Sequence, residues 1–210
     1  MYYYLSFILK EWRLAKFISL YRKLNQHNHT IPGNIFPHNR VQVGVYTYGT
    51  ITAFGFDSPR ASIKVGNYCS IAGGVKFLAG GEHPKNMLTT FPVIRHIYGE
   101  SADESKSSKG PIIIEDDVWV GENCVILSGT RIRQGCIVGA GSIVRKDIPP
   151  YAIYAENRII RYRFPNSIVE KLLSIDFSSI SLEAWKEYRT YCSDPVIDVN
   201  VEQILKIFHK

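Results

Sequence analysis

The sequence is poor in cysteine, with four in 210 residues, and in methionine, with two. Thiols at positions 69, 124, 136 and 192 match neither the close pairs of a zinc site nor the dense framework of a small secreted scaffold. A long apolar run is also missing. Met1 to Leu9 is uncharged, but Lys10, Glu11, Arg13 and Lys16 interrupt well short of the roughly 20 residues a spanning helix needs. No basic residue precedes that stretch and no small-residue cleavage site follows it, so it does not read as a secretory signal and a cytoplasmic chain is expected. Acidic residues are outnumbered, 19 against 25 Lys and Arg, for a net charge of +6. That excess suits polyanionic partners. No basic tail and no zinc-finger, basic-zipper or RNA-recognition signature goes with it, so nucleic acid is not the expected partner, which leaves a phosphorylated cofactor or an acidic membrane surface.

What the sequence has instead is a period of six. Aliphatic residues recur at Ile114, Val120, Ile126, Ile132, Val138 and Val144, and small ones four places later at Val118, Cys124, Thr130, Cys136, Ser142 and Ile148. A second run starts at Val65, Ile71 and Phe77, and an isolated copy, Val43 to Tyr48, is out of phase with it, so a loop must separate the two. Six is neither a helical period nor a strand alternation. A solenoid explains it: each hexad makes a short strand and a turn, three hexads close a coil, and coils stack by pairing backbone groups. The first residue fills a corner of the prism, and the fifth faces a tight inner space. Cys69, Cys124 and Cys136 all take that fifth slot and read as small buried filler, which argues against a cysteine acyl-enzyme.

The repeat breaks at His83 and resumes at Ile114. An excursion of that length inside a compact fold points to function. Its first half carries Met87, Leu88, Phe91, Ile94, Ile97 and Tyr98, which should pack on their own coil or a neighbouring subunit; its second half, Glu100 to Lys109, is polar. His83 stands at the root, beside Gly80, Gly81 and Glu82, where a neutral imidazole can accept a proton from a hydroxyl.

These hexads, the Glu82-His83 step into a long loop, the rung Asp116 to Gly121 and the run Gly139 to Pro149 resemble the hexapeptide-repeat acyltransferases over Val41 to Phe164. Within them the chain is most similar to the xenobiotic acetyltransferase branch, which also includes O-acetyltransferases of surface polysaccharides. The resemblance implies a mainly β fold, a left-handed parallel β-helix with a long active-site loop, assembled as a homotrimer with active sites between subunits. It makes His83 the general base for direct transfer from acetyl-CoA, with no metal. It lays the pantetheine arm along Trp119, Gly121, Gly139, Ala140 and Ser142, and brings Arg145, Lys146, Arg158, Arg161 and Arg163 toward the CoA phosphates. Tyr48, Glu82 and Tyr98 are candidates for acceptor contact, with Glu100 and Asp103 as further carboxylates. The stretch Ile153 to Arg158 departs from the family's Gly-Asn-Pro-Ala-Lys-like turn. Zinc hydro-lyases of the same fold use three inward histidines; here only His83 adjoins the repeat.

The chain divides on this reading into an N-terminal helical segment (1–40), the β-helix (41–164, loop 83–113) and a C-terminal helical segment (165–210). Apolar residues of the N-terminal helix spread nearly all round, which suggests packing on the solenoid end or a neighbour, with peripheral membrane contact as a further option. At the other end, Ser167-x-x-Glu170 and Asn200-x-x-Gln203 read as capping boxes, with a short helix around Leu182 to Tyr191, and these helices should cover one end of the stack. The acceptor expected is a sugar hydroxyl of a cell-surface polysaccharide or its precursor, because resistance enzymes of the branch generally lack the segment before Arg40. A streptogramin or chloramphenicol is the alternative.

Overall fold

The computed structural model describes residues 2–83, 85–100, 107–193, 195–197 and 200–208, with side chains from residue 6 onward. Helix α1 (Tyr2–Leu24) leads into strand β1 (His29–Pro32). A first coil holds β2 (Val41–Val43) and the long β3 (Tyr48–Phe54), and a second holds β4 (Ile63–Val65), β5 (Ser70–Ile71) and β6 (Lys76–Leu78). The excursion carries one helical turn, α2 (Val93–His96). A third coil follows with β7 (Ile112–Ile114), β8 (Trp119–Val120) and β9 (Val125–Leu127), then a fourth with β10 (Arg131–Ile132), β11 (Ile137–Val138) and β12 (Ile143–Val144). The chain leaves the stack through β13 (Ala152–Ala155) and β14 (Arg158–Tyr162), followed by helices α3 (Asn166–Leu172), α4 (Leu182–Tyr188) and α5 (Val201–Phe208).

Strand pairing builds a three-faced parallel β-helix. One face stacks β2, β4, β7 and β10; the next stacks β1, the first half of β3, β5, β8, β11 and β13; the last stacks the second half of β3, β6, β9 and β12. These pairs are all parallel, whereas β13 and β14 form an antiparallel hairpin. Strands are this short because the chain must turn after each inward residue. The period of six is therefore a burial period. The first residues of the hexads, from Val65 to Val144, are at most 4% exposed, and the fifth residues, from Cys69 to Ile148, at most 2%, except Gly81, which is exposed where the loop leaves.

The corners repeat as regularly as the faces. Tyr46, Tyr68, Asp117, Gly135 and Tyr151 all adopt positive φ at one corner, and each donates its backbone N–H to a carbonyl at that same corner of the preceding turn of chain. The fifth-slot residues serve these corners too. Thr47 Oγ1 donates to the Gly66 carbonyl at 2.7 Å, Cys69 Sγ to Glu115 at 3.1 Å, Cys124 Sγ to Gly139 at 3.1 Å and Cys136 Sγ to Pro149 at 2.9 Å. Filler and donor are one role: a small group with one weak donor fits both the space and the orphan carbonyl. Ser142 Oγ fills the slot one coil above Cys124, where the stack ends, and it is the one buried side-chain oxygen lacking a partner among the described residues.

Both ends differ from the sequence expectation. Helix α1 stops at Leu24, and His29–Pro32 pair with Tyr48–Ile51, so the strand stack begins before Val41. Only the C-terminal part of α1 packs: Tyr21 is buried against Phe36 and Phe17, and its hydroxyl meets Thr30 Oγ1 at 2.8 Å. The C-terminal helices do not close an end of the stack. Ile168, Val169, Leu172, Phe177, Val201 and Leu205 cluster with Tyr151 and Tyr68, which places them along the aromatic corner. Tyr68 and Tyr151 supply the apolar surface the helices bury, and Tyr46, stacked on Tyr68, stays 44% exposed. The capping boxes also fail. Pro165 precedes α3 with no side-chain cap, and the Asn200 amide oxygen accepts from Ile197 rather than from Gln203. Ser181 caps α4 by accepting from the Ala184 N–H.

Candidate active site

The excursion leaves at the corner between β6 and β7, and its two ends are tied together. Glu82 N–H donates to the Ser107 carbonyl at 3.0 Å, Ser108 Oγ donates to the Ala79 carbonyl at 2.5 Å, and Lys109 Nζ pairs with Glu82 at 3.1 Å. Opposite charges at the two ends of the insertion were the sequence signal for this clasp. Gly80 is required by it: a Cβ would stand 2.5 Å from the Gly55 carbonyl oxygen and 2.9 Å from that of Ser107. Gly81, at φ +95°, faces open space.

His83 follows directly, exposed, with Nδ1 2.6 Å from the carbonyl oxygen of Thr90. A carbonyl only accepts, so Nδ1 carries the hydrogen, and the Nε2 of the neutral ring keeps its lone pair. The loop thus bends back to orient the imidazole through its own backbone. Thr90 was invisible in the sequence because any residue supplies a carbonyl. Around it, the apolar side chains of the loop are exposed among the described residues: Met87, Leu88, Phe91, Ile94, Ile97 and Tyr98. Asp103 lies outside the described residues.

The other predicted site residues fall into three groups. Tyr48 and Trp119 share one outward row, Tyr48–Ser70–Trp119–Ile137–Ile153, and are 55% and 54% exposed, so neither ring is core packing. Ala140, Arg145, Lys146 and Arg158 are also exposed; Arg158 pairs with Glu156 across a solvated turn. The second group works through backbone. Gly121 is buried under the Val138–Ala140 rung, where a Cβ would meet Ala140 N at 2.7 Å, and Gly139 faces Ala155 Cβ at 2.9 Å. Ser142 is buried and presents no side chain to solvent.

Arg163 forms the third group and corrects the expectation that it meets phosphate. Its Nη1 donates to Asp117 Oδ2 at 3.0 Å and to the Gly135 carbonyl at 2.7 Å, with the guanidinium carbon 5.4 Å from the Tyr151 ring centroid and 5.2 Å from that of Phe164. Burial pushes the Asp117 carboxyl up and Arg163 draws it back. The guanidinium is consumed in holding the last coil. The unusual stretch from Ile153 is explained as well: Glu156 and Asn157, both at positive φ, make a two-residue hairpin turn, and Asn157 Oδ1 accepts from Ile143 N–H at 2.7 Å.

Burial makes the three cysteines of the repeat poor nucleophiles. It pushes the thiols of Cys69 and Cys136 up to about 12 and that of Cys124 upward. Among the described residues no group of three His, Cys, Asp or Glu stands together to hold a metal, and no helix is long and apolar enough to cross a membrane.

The chain is similar to several known proteins. Residues 111–146 match the family described as hexapeptide repeat of succinyl-transferase. A probable macrolide acetyltransferase of Lysinibacillus sphaericus is 36% identical over 54% of this chain and 67% of its own length. A chloramphenicol acetyltransferase of Klebsiella aerogenes is 32% identical over 58% of this chain and 61% of its own length. Among solved structures, a hexapeptide-repeat acetyltransferase of Vibrio cholerae complexed with acetyl coenzyme A is 25% identical, with a TM-score of 0.51 over 70% of this chain and 76% of that one. A maltose O-acetyltransferase from Clostridium difficile shares the fold at a TM-score of 0.50 and 21% identity, over 74% of this chain and 87% of that one. The chain belongs to the hexapeptide-repeat acyltransferases.

Proposed function

We propose that this enzyme takes an acetyl group from acetyl-CoA and passes it directly to a hydroxyl of a sugar in a cell-surface polysaccharide or its precursor. The observation that carries the reading is the His83–Thr90 contact, which leaves an exposed Nε2 lone pair at the root of the loop. As the acceptor oxygen attacks the thioester carbonyl, its proton passes to Nε2. The carbon–sulfur bond then breaks, and the imidazolium returns that proton to the CoA thiolate. His83 alone moves protons, and no protein nucleophile is needed.

In this reading residues 41–164 form a left-handed catalytic coil and assemble as a homotrimer. The exposed apolar side chains of the loop meet a neighbouring subunit. The pantetheine arm runs past Trp119 along the backbone of Gly121, Gly139 and Ala140, and Arg145, Lys146 and Arg158 meet the phosphates. Tyr48 and Tyr98 offer exposed rings on which a sugar can stack, and Glu82 can accept from its hydroxyls. Antibiotic acetylation is the second reading, favoured by the identity to the macrolide and chloramphenicol acetyltransferases. Labelled acetyl-CoA supplied with a saccharide panel in one arm, and chloramphenicol and a streptogramin in the other, separates the two. Label on saccharide oxygen is expected; faster transfer to either antibiotic reverses the assignment.

A further inference from the structure

The apolar residues around α1 fall on faces with different fates, and Phe7 and Leu24, flanking the packed one, are exposed too. One, with Phe17 and Tyr21, packs on Phe36 at the end of the stack. Plotted at about 100° per residue, Ile8, Leu9 and Trp12 fall on the far side, where they are 46%, 52% and 53% exposed, and Leu20, 47% exposed, stands at its edge. Lys16 and Lys23 are interleaved with them, Arg13 flanks them beyond Leu20, and all three are open to solvent. Glu11, the one acid of the helix, falls outside this face. Lys16 Nζ sits 3.6 Å from the centroid of the Trp12 ring, so cation and aromatic are presented together.

We infer that this face docks the enzyme on an anionic lipid surface. The mixture decides between a membrane and a second copy of the chain. Protein interface cores exclude lysine, and copies meeting through this face would bring Arg13, Lys16 and Lys23 against their own like charges. A lipid interface accepts both components: the indole and aliphatic groups enter the headgroup region, while the long basic side chains reach outward to phosphate. The helix lies on the surface, since it is not apolar enough to cross. The opposite, packed face leaves the β-helix above it. This inference does not depend on the acyl-transfer reading.

Flotation of the full chain with phosphatidylcholine vesicles, with and without phosphatidylglycerol, tests it at low and high salt. Binding is expected only to the anionic vesicles, with release by salt. Neutralising Arg13, Lys16 and Lys23 to Gln should lower partitioning on the order of 100-fold, from about 1 kcal/mol per charge. Trp12→Ser should also lower it, and both variants should keep the wild-type urea midpoint because the side chains are exposed. Wild-type protein that floats with neither vesicle overturns the inference whether or not a variant folds. A loss of oligomer mass in the triple variant, seen by sedimentation velocity, also overturns it and gives the face to a second copy.

Discussion

Arg163 and Asp117 are 46 residues apart in sequence and 3.0 Å apart in space, and their pairing ties the segment after the last coil to the corner of the third. Arg163→Met should cost about 2 kcal/mol at neutral pH, below the value for a fully buried pair because the Asp117 carboxylate keeps some solvent. The pH dependence has a definite sign. Burial already raises the folded-state pKa of Asp117, and losing the guanidinium raises it further. A raised carboxyl favours the folded state while it is protonated, and that advantage is lost as pH rises through the folded value. The variant's deficit in urea denaturation should therefore be smallest below about pH 3.9 and largest at neutral pH. A deficit that shrinks toward neutral pH would refute the clamp.

Gly135 and Gly141 share φ +71° but not their surroundings. A Cβ at 135 would stand 2.3 Å from Tyr151 Cε1, whereas one at 141 would meet nothing within 4 Å. Gly141→Ala should cost about 1 kcal/mol, the backbone share alone. Gly135→Ala should cost about 3 kcal/mol, because it also displaces a ring on which the C-terminal helices pack. Equal thermal shifts for the two variants would contradict this packing.

Native protein should expose a single reactive thiol. Cys192 is exposed, while Cys69, Cys124 and Cys136 are buried and pushed away from the thiolate form. A chromogenic disulfide should titrate Cys192 quickly and the remaining three only after unfolding, with turnover unchanged once Cys192 is blocked. Fast modification of a second thiol with loss of turnover would restore a covalent cysteine mechanism.

The fold was legible where its physics is local and repeated. A corner that admits only an aliphatic group, and an inner slot that admits only Cys, Ser, Thr, Val or Ile, write the period of six directly into the chain. The loop announced itself as the place where that period stops. Relationships between distant segments left no such trace: Arg163 on Asp117, Asn157 on Ile143, and the helices along Tyr68 and Tyr151 depend on which corner each residue occupies in three dimensions. Strand β1 was missed because His29–Pro32 lies outside any hexad frame and pairs through backbone alone. In the candidate site, the place of His83 at the break was readable, but the group its Nδ1 meets is the Thr90 carbonyl, which no residue type encodes.

The most direct measurement compares wild type and His83→Ala for acetyl transfer at saturating acceptor, with CoA affinity measured in parallel by calorimetry. If the Nε2 of His83 is the base, kcat should fall about 10²–10⁴-fold, while CoA affinity stays within about two- to threefold, because losing one base changes the transition state and not donor binding. Turnover within about twofold of wild type would contradict the account.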